Sequence, residues 1–186
     1  MIGQLPTTLK VGTRELPILS TDYRTVLVII QACEDPELTE QEKVYIMIDA
    51  LLGWENIRPD EAEEAMNACN WFIDGGKEYD GTRYQPKLMD WGQDEQMIFS
   101  AVNHVAGKEL RTSEYCHWWT FLGYFSEIQD GLFSYVLSIR QKKAKHKKLD
   151  KTEEEFYQQN RDIINIKKRY TAEEKAEIDR INSIFK

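Results

Sequence analysis

Apolar and polar residues alternate at the start of the chain and then change to a helical spacing. Leu9-Lys10-Val11 and Arg14-Glu15-Leu16 alternate on either side of Gly12-Thr13, a pair that suits a two-residue turn with glycine first. A hairpin alone is only marginally stable, so it should pack on neighbouring helices. The pattern predicts a short β-hairpin within residues 5–18.

Beyond Thr21, apolar residues recur every three or four positions, which is typical of amphipathic helices. Thr39 and Glu42 form a capping box, and Pro59 suits the first turn of another helix. The predicted helices occupy residues 21–36, 39–53, 59–73, 94–106, 113–128, 132–145 and the segment from 171 onward. An exposed polar loop is predicted over residues 74–82. The sequence therefore predicts a mainly α fold, namely a compact multi-helix domain with a short N-terminal β-hairpin and a charged helical C-terminal tail.

The tail differs from the rest of the chain in composition, which predicts a helical domain over residues 1–148 and a charged helical extension over residues 149–186. Thr171 and Glu174 form a second capping box. The helix behind it has a narrow apolar stripe, formed by Ala176, Ile178, Ile181, Ile184 and Phe185. A stripe this narrow packs on its own domain, pairs with a copy of itself, or docks a partner.

The segment around Trp118-Trp119 has the highest density of aromatic residues. Neighbouring residues on a helix point about 100° apart, so two adjacent tryptophans require an apolar surface over a wide arc. Such a helix is either central to the core or half core and half partner surface. The hypothesis of a partner-binding face rests on His117, Trp118, Trp119 and Phe121.

Charge and length limit the classes of function. The chain has 186 residues and a net charge of -8, which gives no general attraction to nucleic acid or to anionic membranes. No apolar run approaches the roughly 20 residues needed to cross a bilayer, and the start does not resemble a signal peptide. Three scattered cysteines fit a reducing cytoplasm better than a disulfide framework.

One basic cluster stands out against the acidic chain. It is formed by Arg140, Lys142, Lys143, Lys145, Lys147 and Lys148. Such a cluster is a solvated helix end that complements the helix dipole, a surface for an acidic protein partner, or a contact for nucleic acid phosphates. Nucleic acid is the least favoured of the three, because the nearby aromatics Phe133 and Tyr135 fit a buried stripe.

Candidate catalytic residues are few. Cys116 and His117 are adjacent, but neighbouring helical side chains diverge, whereas a thiolate–imidazole pair needs hydrogen-bond contact. The three histidines show no metal-ligand spacing, and Gly75-Gly76 lacks the lysine of a phosphate-binding loop. The sequence therefore predicts no enzyme activity, no cofactor and no metal.

Several motifs, in order along the chain, match a known family. They are Leu5-Pro6-Thr7-Thr8, Asp22-Tyr23-Arg24, Asp35 to Thr39, Trp71-Phe72 ahead of Gly75-Gly76, Asp90-Trp91, Asp94 to Ile98, Ala101, Leu110, His117-Trp118-Trp119 with Phe121, and Ile139-Arg140. The chain resembles, over residues 5–170, the small tail proteins of long-tailed phages and prophages of Gram-positive bacteria that are named after a fifteenth gene product. Val102, Cys116 and Gly107-Lys108 depart from the family pattern, but they are substitutions of the kind found in cores.

The resemblance implies a function that the residues alone do not give. In such phages the gene usually lies between those of the tail tube and the tape measure, and proteins in that position look like tail assembly chaperones. The resemblance implies binding to the tape-measure protein, with the tail-tube protein as a second candidate partner, in the host bacterial cytoplasm. The alternatives are a structural tail component retained in the virion and a nucleic-acid-binding accessory protein. The sequence leaves homo-oligomerisation open.

Overall fold

The computed structural model describes residues 2–77 and 86–184, and it begins with the predicted hairpin. Strands β1 (Thr8–Val11) and β2 (Arg14–Pro17) pair antiparallel, with Leu9 opposite Leu16. Gly12 has φ +57°, the left-handed conformation that the first position of this turn requires. Leu9, Val11 and Leu16 are buried, so one face of the hairpin lies on the core, as predicted.

Three helices follow the hairpin and form the first half of the fold. They are α1 (Tyr23–Cys33), α2 (Glu40–Leu52) and α3 (Ala62–Ile73). The predicted capping box of α2 is present, because the Thr39 hydroxyl accepts from the Glu42 amide and the Glu42 carboxylate accepts from the Thr39 amide. Pro59 opens a 3₁₀ turn that leads directly into α3.

The second half contains α4 (Glu95–Ala106), α5 (Trp118–Ser126) and α6 (Leu132–Ala144). Helix α5 begins five residues later than predicted. The reason lies in tertiary contacts: residue Asp22 bridges to His117, and the Asp22 carboxylate accepts from the Cys116 amide at 3.0 Å. These contacts hold the chain extended up to His117, which then becomes the N-cap of α5.

The C-terminal region contains α7 (Lys151–Gln159), α8 (Arg161–Ile164) and α9 (Ala172–Ile184). The predicted boundary at residues 148/149 falls between α6 and α7. Helices α7 and α8 nevertheless pack back on α6, where Val136, Ile139 and Ile164 form a buried cluster. Over residues 149–164, therefore, the charged extension shares an apolar contact with the helical domain.

Helix α9 differs from the other helices in its exposure. Within residues 172–183 every residue except the half-buried Ile178 is exposed. Ile181 is 44% exposed, whereas the side chain of Ile184 and residue Phe185 lie outside the described part of the chain, as does most of the predicted loop over 74–82. The mainly α fold with an N-terminal hairpin and a C-terminal helix is confirmed.

Candidate functional site

The partner-binding hypothesis placed four residues around the start of α5, and three of them are buried. Trp118 is 1% exposed, Phe121 is 0% exposed and His117 is 4% exposed. The Trp118 and Phe121 rings stack with centroids 5.7 Å apart, and Phe121 also stacks on Tyr23 at 4.7 Å. These three residues belong to the core, which is one of the two alternatives that the sequence left open, and in this conformation they offer no surface to a partner.

Trp119 is the member of the group that reaches the surface. Its ring meets the edge of Trp71, which is 38% exposed, with centroids 5.2 Å apart. The Trp119 Nε1–H donates to the Phe72 carbonyl at 2.9 Å, and the Trp118 Nε1–H donates to the Ile73 carbonyl at 2.8 Å. The two adjacent indoles therefore both bind the last turn of α3.

Two glycines make this contact between α3 and α5 sterically feasible. A Cβ on Gly76 would lie 2.8 Å from Cη2 of Trp119, and a Cβ on Gly75 would lie 3.0 Å from Cδ1 of Leu122. Both glycines also have positive φ, which ends α3. Trp71, Trp119 and the half-buried Leu122 together form an apolar area that we call the tryptophan surface. Sequence reasoning missed the part played by Trp71, although Trp71-Phe72 ahead of the glycine pair was among the motifs.

His117 has a structural role that its hydrogen bonds define. Its Nδ1 accepts from the Trp119 amide at 3.0 Å, so Nε2 carries the proton and donates to the Pro6 carbonyl at 3.1 Å. Burial raises the pKa of the neighbouring Cys116 thiol, whose Sγ lies 3.7 Å from the His117 carbonyl oxygen. Burial also raises the pKa of Cys69 to about 12. His117 therefore caps α5. Burial keeps the thiols of Cys116 and Cys69 protonated.

Arg140, which the sequence assigned to the basic surface cluster, is buried. This side chain is 5% exposed and forms a bidentate ion pair with Asp94 at 2.6 and 2.8 Å. Its other N–H groups donate to the carbonyls of Leu88, Ile163 and Ile164 at 2.6–2.9 Å. All five guanidinium N–H groups are thus engaged in the interior, and Arg140 does not contribute to a surface patch.

The lysines of that cluster divide into two groups. Lys142 pairs with Glu153, and the Lys143 ammonium lies 3.4 Å from the centroid of the Tyr157 ring. These contacts attach α7 to α6. The remaining three are exposed and follow the end of α6, where positive charge complements the helix dipole: Lys145, Lys147 and Lys148. The exposed basic area is therefore smaller than the sequence predicted.

Asp90 is the centre of a second carboxylate network beside the Arg140–Asp94 pair. It is 3% exposed, and its carboxylate accepts from the Gly92 and Gln93 amides, from Lys87 at 3.0 Å and from Arg169 at 2.8 Å. Burial alone would raise the pKa of Asp90, but these hydrogen bonds outweigh it and lower the pKa to about 2. The motif residues Asp90 and Asp94 therefore join their segment to Arg169 and Arg140, which lie 79 and 46 residues further along the chain.

Acidification is expected to remove the contribution of Asp90 to stability. The folded pKa is depressed below the value of about 3.9 in the unfolded chain. Its contribution of about 2 kcal/mol is therefore present above about pH 4 and is lost as the pH falls towards 2. Urea unfolding at several pH values, compared with Asp90→Asn, measures this contribution.

The Asp90→Asn variant should be less stable than the parent near neutrality, and the difference should shrink with acidification. Asp130→Asn, which changes one exposed carboxylate outside the network, is the matched control. A constant difference between Asp90→Asn and the parent across the pH range would contradict the role assigned to Asp90.

An open groove of about 1120 Å³ runs between α4 and the α5–α6 connection. Its apolar lining comes from both sides: Met97, Ala101, Val105, Ile128 and Leu132. Lys108 lies on the α4 side, whereas Glu127 and Asp130 lie on the opposite side. Among the described residues, no ion pair engages these three charged side chains. We call this feature the α4 groove.

Within residues 2–77 and 86–184 the protein has neither a candidate metal centre nor a helix that could span a membrane. No group of three or more histidine, cysteine or carboxylate side chains is arranged to hold a metal ion in that part of the chain. No helix described by the structure has the length and apolar character needed to cross a membrane.

Comparison with known proteins identifies a family. The family model described as bacteriophage Gp15 protein matches residues 1–171, a range that includes the hairpin, the tryptophan surface and both carboxylate networks. No curated protein and no solved structure matches the chain. The match ends one residue before α9 begins. The resemblance read from the sequence motifs is confirmed, and the chain belongs to the bacteriophage Gp15 protein family.

Proposed function

We propose that this phage protein is a tail assembly chaperone that binds the tape-measure protein in the host cytoplasm before the tube subunits polymerise. The observation that carries the proposal is the tryptophan surface, a solvent-facing aromatic area in a member of a bacteriophage family. Tryptophan is enriched among the residues that dominate protein–protein binding energies. The proposed role requires binding and release, and it includes no catalytic step.

The mode of binding that fits this surface is the docking of an amphipathic helix. The Trp71 and Trp119 rings pack edge to face beside each other, and Leu122 extends this apolar area along α5. The hydrogen bond from the Trp119 indole to the Phe72 carbonyl fixes the aromatic anchor before a partner arrives. Such preorganisation lowers the entropy cost of binding a helix through its apolar face.

The exposed lysines at the end of α6 supply an electrostatic contribution to the same proposal. Lys145, Lys147 and Lys148 would attract acidic stretches of a partner, and this attraction would accelerate association more than it would strengthen the final complex. Association through these lysines would weaken with added salt, because exposed charges are screened over about 8 Å at physiological ionic strength.

Co-expression with the tape-measure protein of the same genome is the direct test, with the tail-tube protein as the comparison. We expect soluble, co-purifying tape-measure protein with the parent chain and a loss of co-purification with Trp71→Ala. Trp54→Ala is the matched control, because Trp54 is 36% exposed against 38% for Trp71 and lies elsewhere, beside Tyr45. A folded Trp54→Ala variant should retain the partner.

Two outcomes would contradict the proposal and support a different function. If the tape-measure protein stays insoluble and mass spectrometry finds this chain in purified particles in fixed copies, the protein is a structural tail component. If the chain instead binds DNA in a salt-sensitive way that neutralising Lys145, Lys147 and Lys148 abolishes, it is a nucleic-acid-binding accessory protein. If co-purification of the tape-measure protein falls equally with Trp71→Ala and Trp54→Ala, the tryptophan surface is not the binding site.

A further inference from the structure

Gly123 lies in the middle of α5, at a position where no contact within the described residues requires a glycine. Its backbone is helical, and its φ is not positive. Apart from its neighbours in the helix, no atom of residues 2–77 and 86–184 lies within 4 Å of the place where a Cβ would stand. Glycine inside a helix lowers stability relative to alanine, because it has more conformational freedom to lose on folding. The position therefore leaves the backbone of α5 open from outside, at a cost to stability.

This open position lies on the same face of α5 as the tryptophan surface. Residues three and four positions apart adjoin on a helix, so Trp119, Leu122 and Gly123 share one face. Trp118 and Phe121 are buried on the opposite face. The distance between packed helices depends on the side chains at their contact. A second helix can therefore approach α5 most closely at Gly123, one turn beyond the aromatic ring of Trp119.

Carboxylates lie at both ends of this face. Residues 62–77 and 118–130, which contain the tryptophan surface, include five acidic residues and one basic residue, Lys77. Glu64 lies two helical turns from Trp71 on the same face of α3, and Glu127 follows Trp119 by about 12 Å along α5. A surface with this charge attracts a partner whose apolar stripe is flanked by lysine or arginine. The five acidic side chains are all exposed: Glu63, Glu64, Asp74, Glu127 and Asp130.

We propose that the tryptophan surface binds an amphipathic helix with basic residues beside its apolar stripe, and that this helix crosses α5 at Gly123. The inference rests on the proposed function and specifies the segment of the tape-measure protein that binds. The apolar side chains of that helix pack on Trp71, Trp119 and Leu122. Its backbone lies against α5 at Gly123, and its basic side chains reach the carboxylates at the two ends of the face.

The exposed lysines at the end of α6 act on a different part of the partner. They are separated from Asp130, which precedes α6, by the length of that helix, about 20 Å. Acidic stretches that these lysines attract therefore lie outside the basic helix that crosses α5.

Thermal unfolding tests whether Gly123 is free of internal contacts. Gly123→Ala should raise the melting temperature by about 2–4 °C, because alanine favours the helix and meets no described atom. Gly123→Gln should melt no lower than the parent chain, since glutamine also favours a helix over glycine. A lower melting temperature for Gly123→Ala would show that the fold itself needs the glycine, and it would overturn the inference.

Overlapping peptides that cover the tape-measure protein of the same genome test the partner's chemistry, each of about 20 residues and about 30 Å long as a helix. We expect the peptides that bind the parent chain to be basic, with apolar residues at helical spacing. Gly123→Gln should weaken their binding by at least about tenfold, because its side chain occupies the crossing point. Ser138→Gln is the matched control, since Ser138 is a small exposed residue in the middle of α6. It should bind like the parent chain.

Co-purification with the full-length tape-measure protein separates this inference from the proposed function. If Trp71→Ala loses the tape-measure protein and Gly123→Gln retains it, the proposed function stands and the crossing at Gly123 is wrong. Acidic binding peptides, or no binding peptide at all, would overturn the inference even when co-purification succeeds. Basic peptides whose binding Gly123→Gln weakens would support it even if the full-length partner stays insoluble.

Discussion

Replacing Arg140 with alanine is expected to lower the free energy of unfolding by about 3–5 kcal/mol, the range measured when one partner of a buried ion pair is removed. Asp94, which is 0% exposed, would be left buried without the guanidinium that pairs with it. The carbonyls of Leu88, Ile163 and Ile164 would lose their donors at the same time. Urea unfolding followed by circular dichroism measures the loss.

Two further variants separate the causes of that loss. Lys147→Ala removes an exposed charge from the same sequence cluster and should change stability by less than about 0.5 kcal/mol. Replacing both partners, as Arg140→Met with Asp94→Leu, should be less damaging than Arg140→Ala alone, because no buried charge is then left without a partner. Equal effects of Arg140→Ala and Lys147→Ala would show that Arg140 is a surface residue.

Trp118→Ala is the second change with a large expected effect, about 3–5 kcal/mol of lost stability, because it opens a cavity between α3, α5 and the core. The indole is 1% exposed and stacks on Phe121, and its Nε1–H binds the Ile73 carbonyl. Trp119→Ala should lose only about 1–2 kcal/mol, since its indole is partly in water and contributes one half-buried hydrogen bond.

The comparison of Trp118→Ala with Trp119→Ala uses circular dichroism, because each change removes a fluorophore. Trp54→Ala controls for the loss of a surface tryptophan. If the two neighbouring variants lose equal stability, Trp119 is a core residue and the tryptophan surface does not exist as described. If Trp119→Ala alone loses the proposed partner while remaining folded, it belongs to that surface.

Local signals explain why much of the fold was predictable. The hairpin depends on Gly12, whose positive φ is a property of one residue, and α2 depends on a capping box within four residues. The start of α5 depends instead on Asp22, far away in sequence, which binds the Cys116 amide. The spacing of apolar residues within 113–128 carries no information about that distant contact. The helix was therefore predicted to begin too early.

The roles of the site residues were less predictable for the same reason. Adjacent tryptophans imply two directions about 100° apart, but only the positions of α3 and the core decide that Trp118 points inward and Trp119 outward. Arg140 belongs to the same sequence cluster as the exposed lysines at 145, 147 and 148, whereas its partner Asp94 lies 46 residues earlier. The family motifs contained both residues, although they gave no indication that the two meet.

The five bonds of Arg140 also determine when the domain can complete its packing during synthesis. A ribosome produces Asp94 first, Arg140 next, and the carbonyls of Ile163 and Ile164 last. Until residue 164 has left the exit tunnel, the guanidinium lacks two of its acceptors and Ile139 lacks the side chain that covers it. The nascent domain therefore reaches its final packing only after residue 164 has emerged, and α9 is the segment that emerges next.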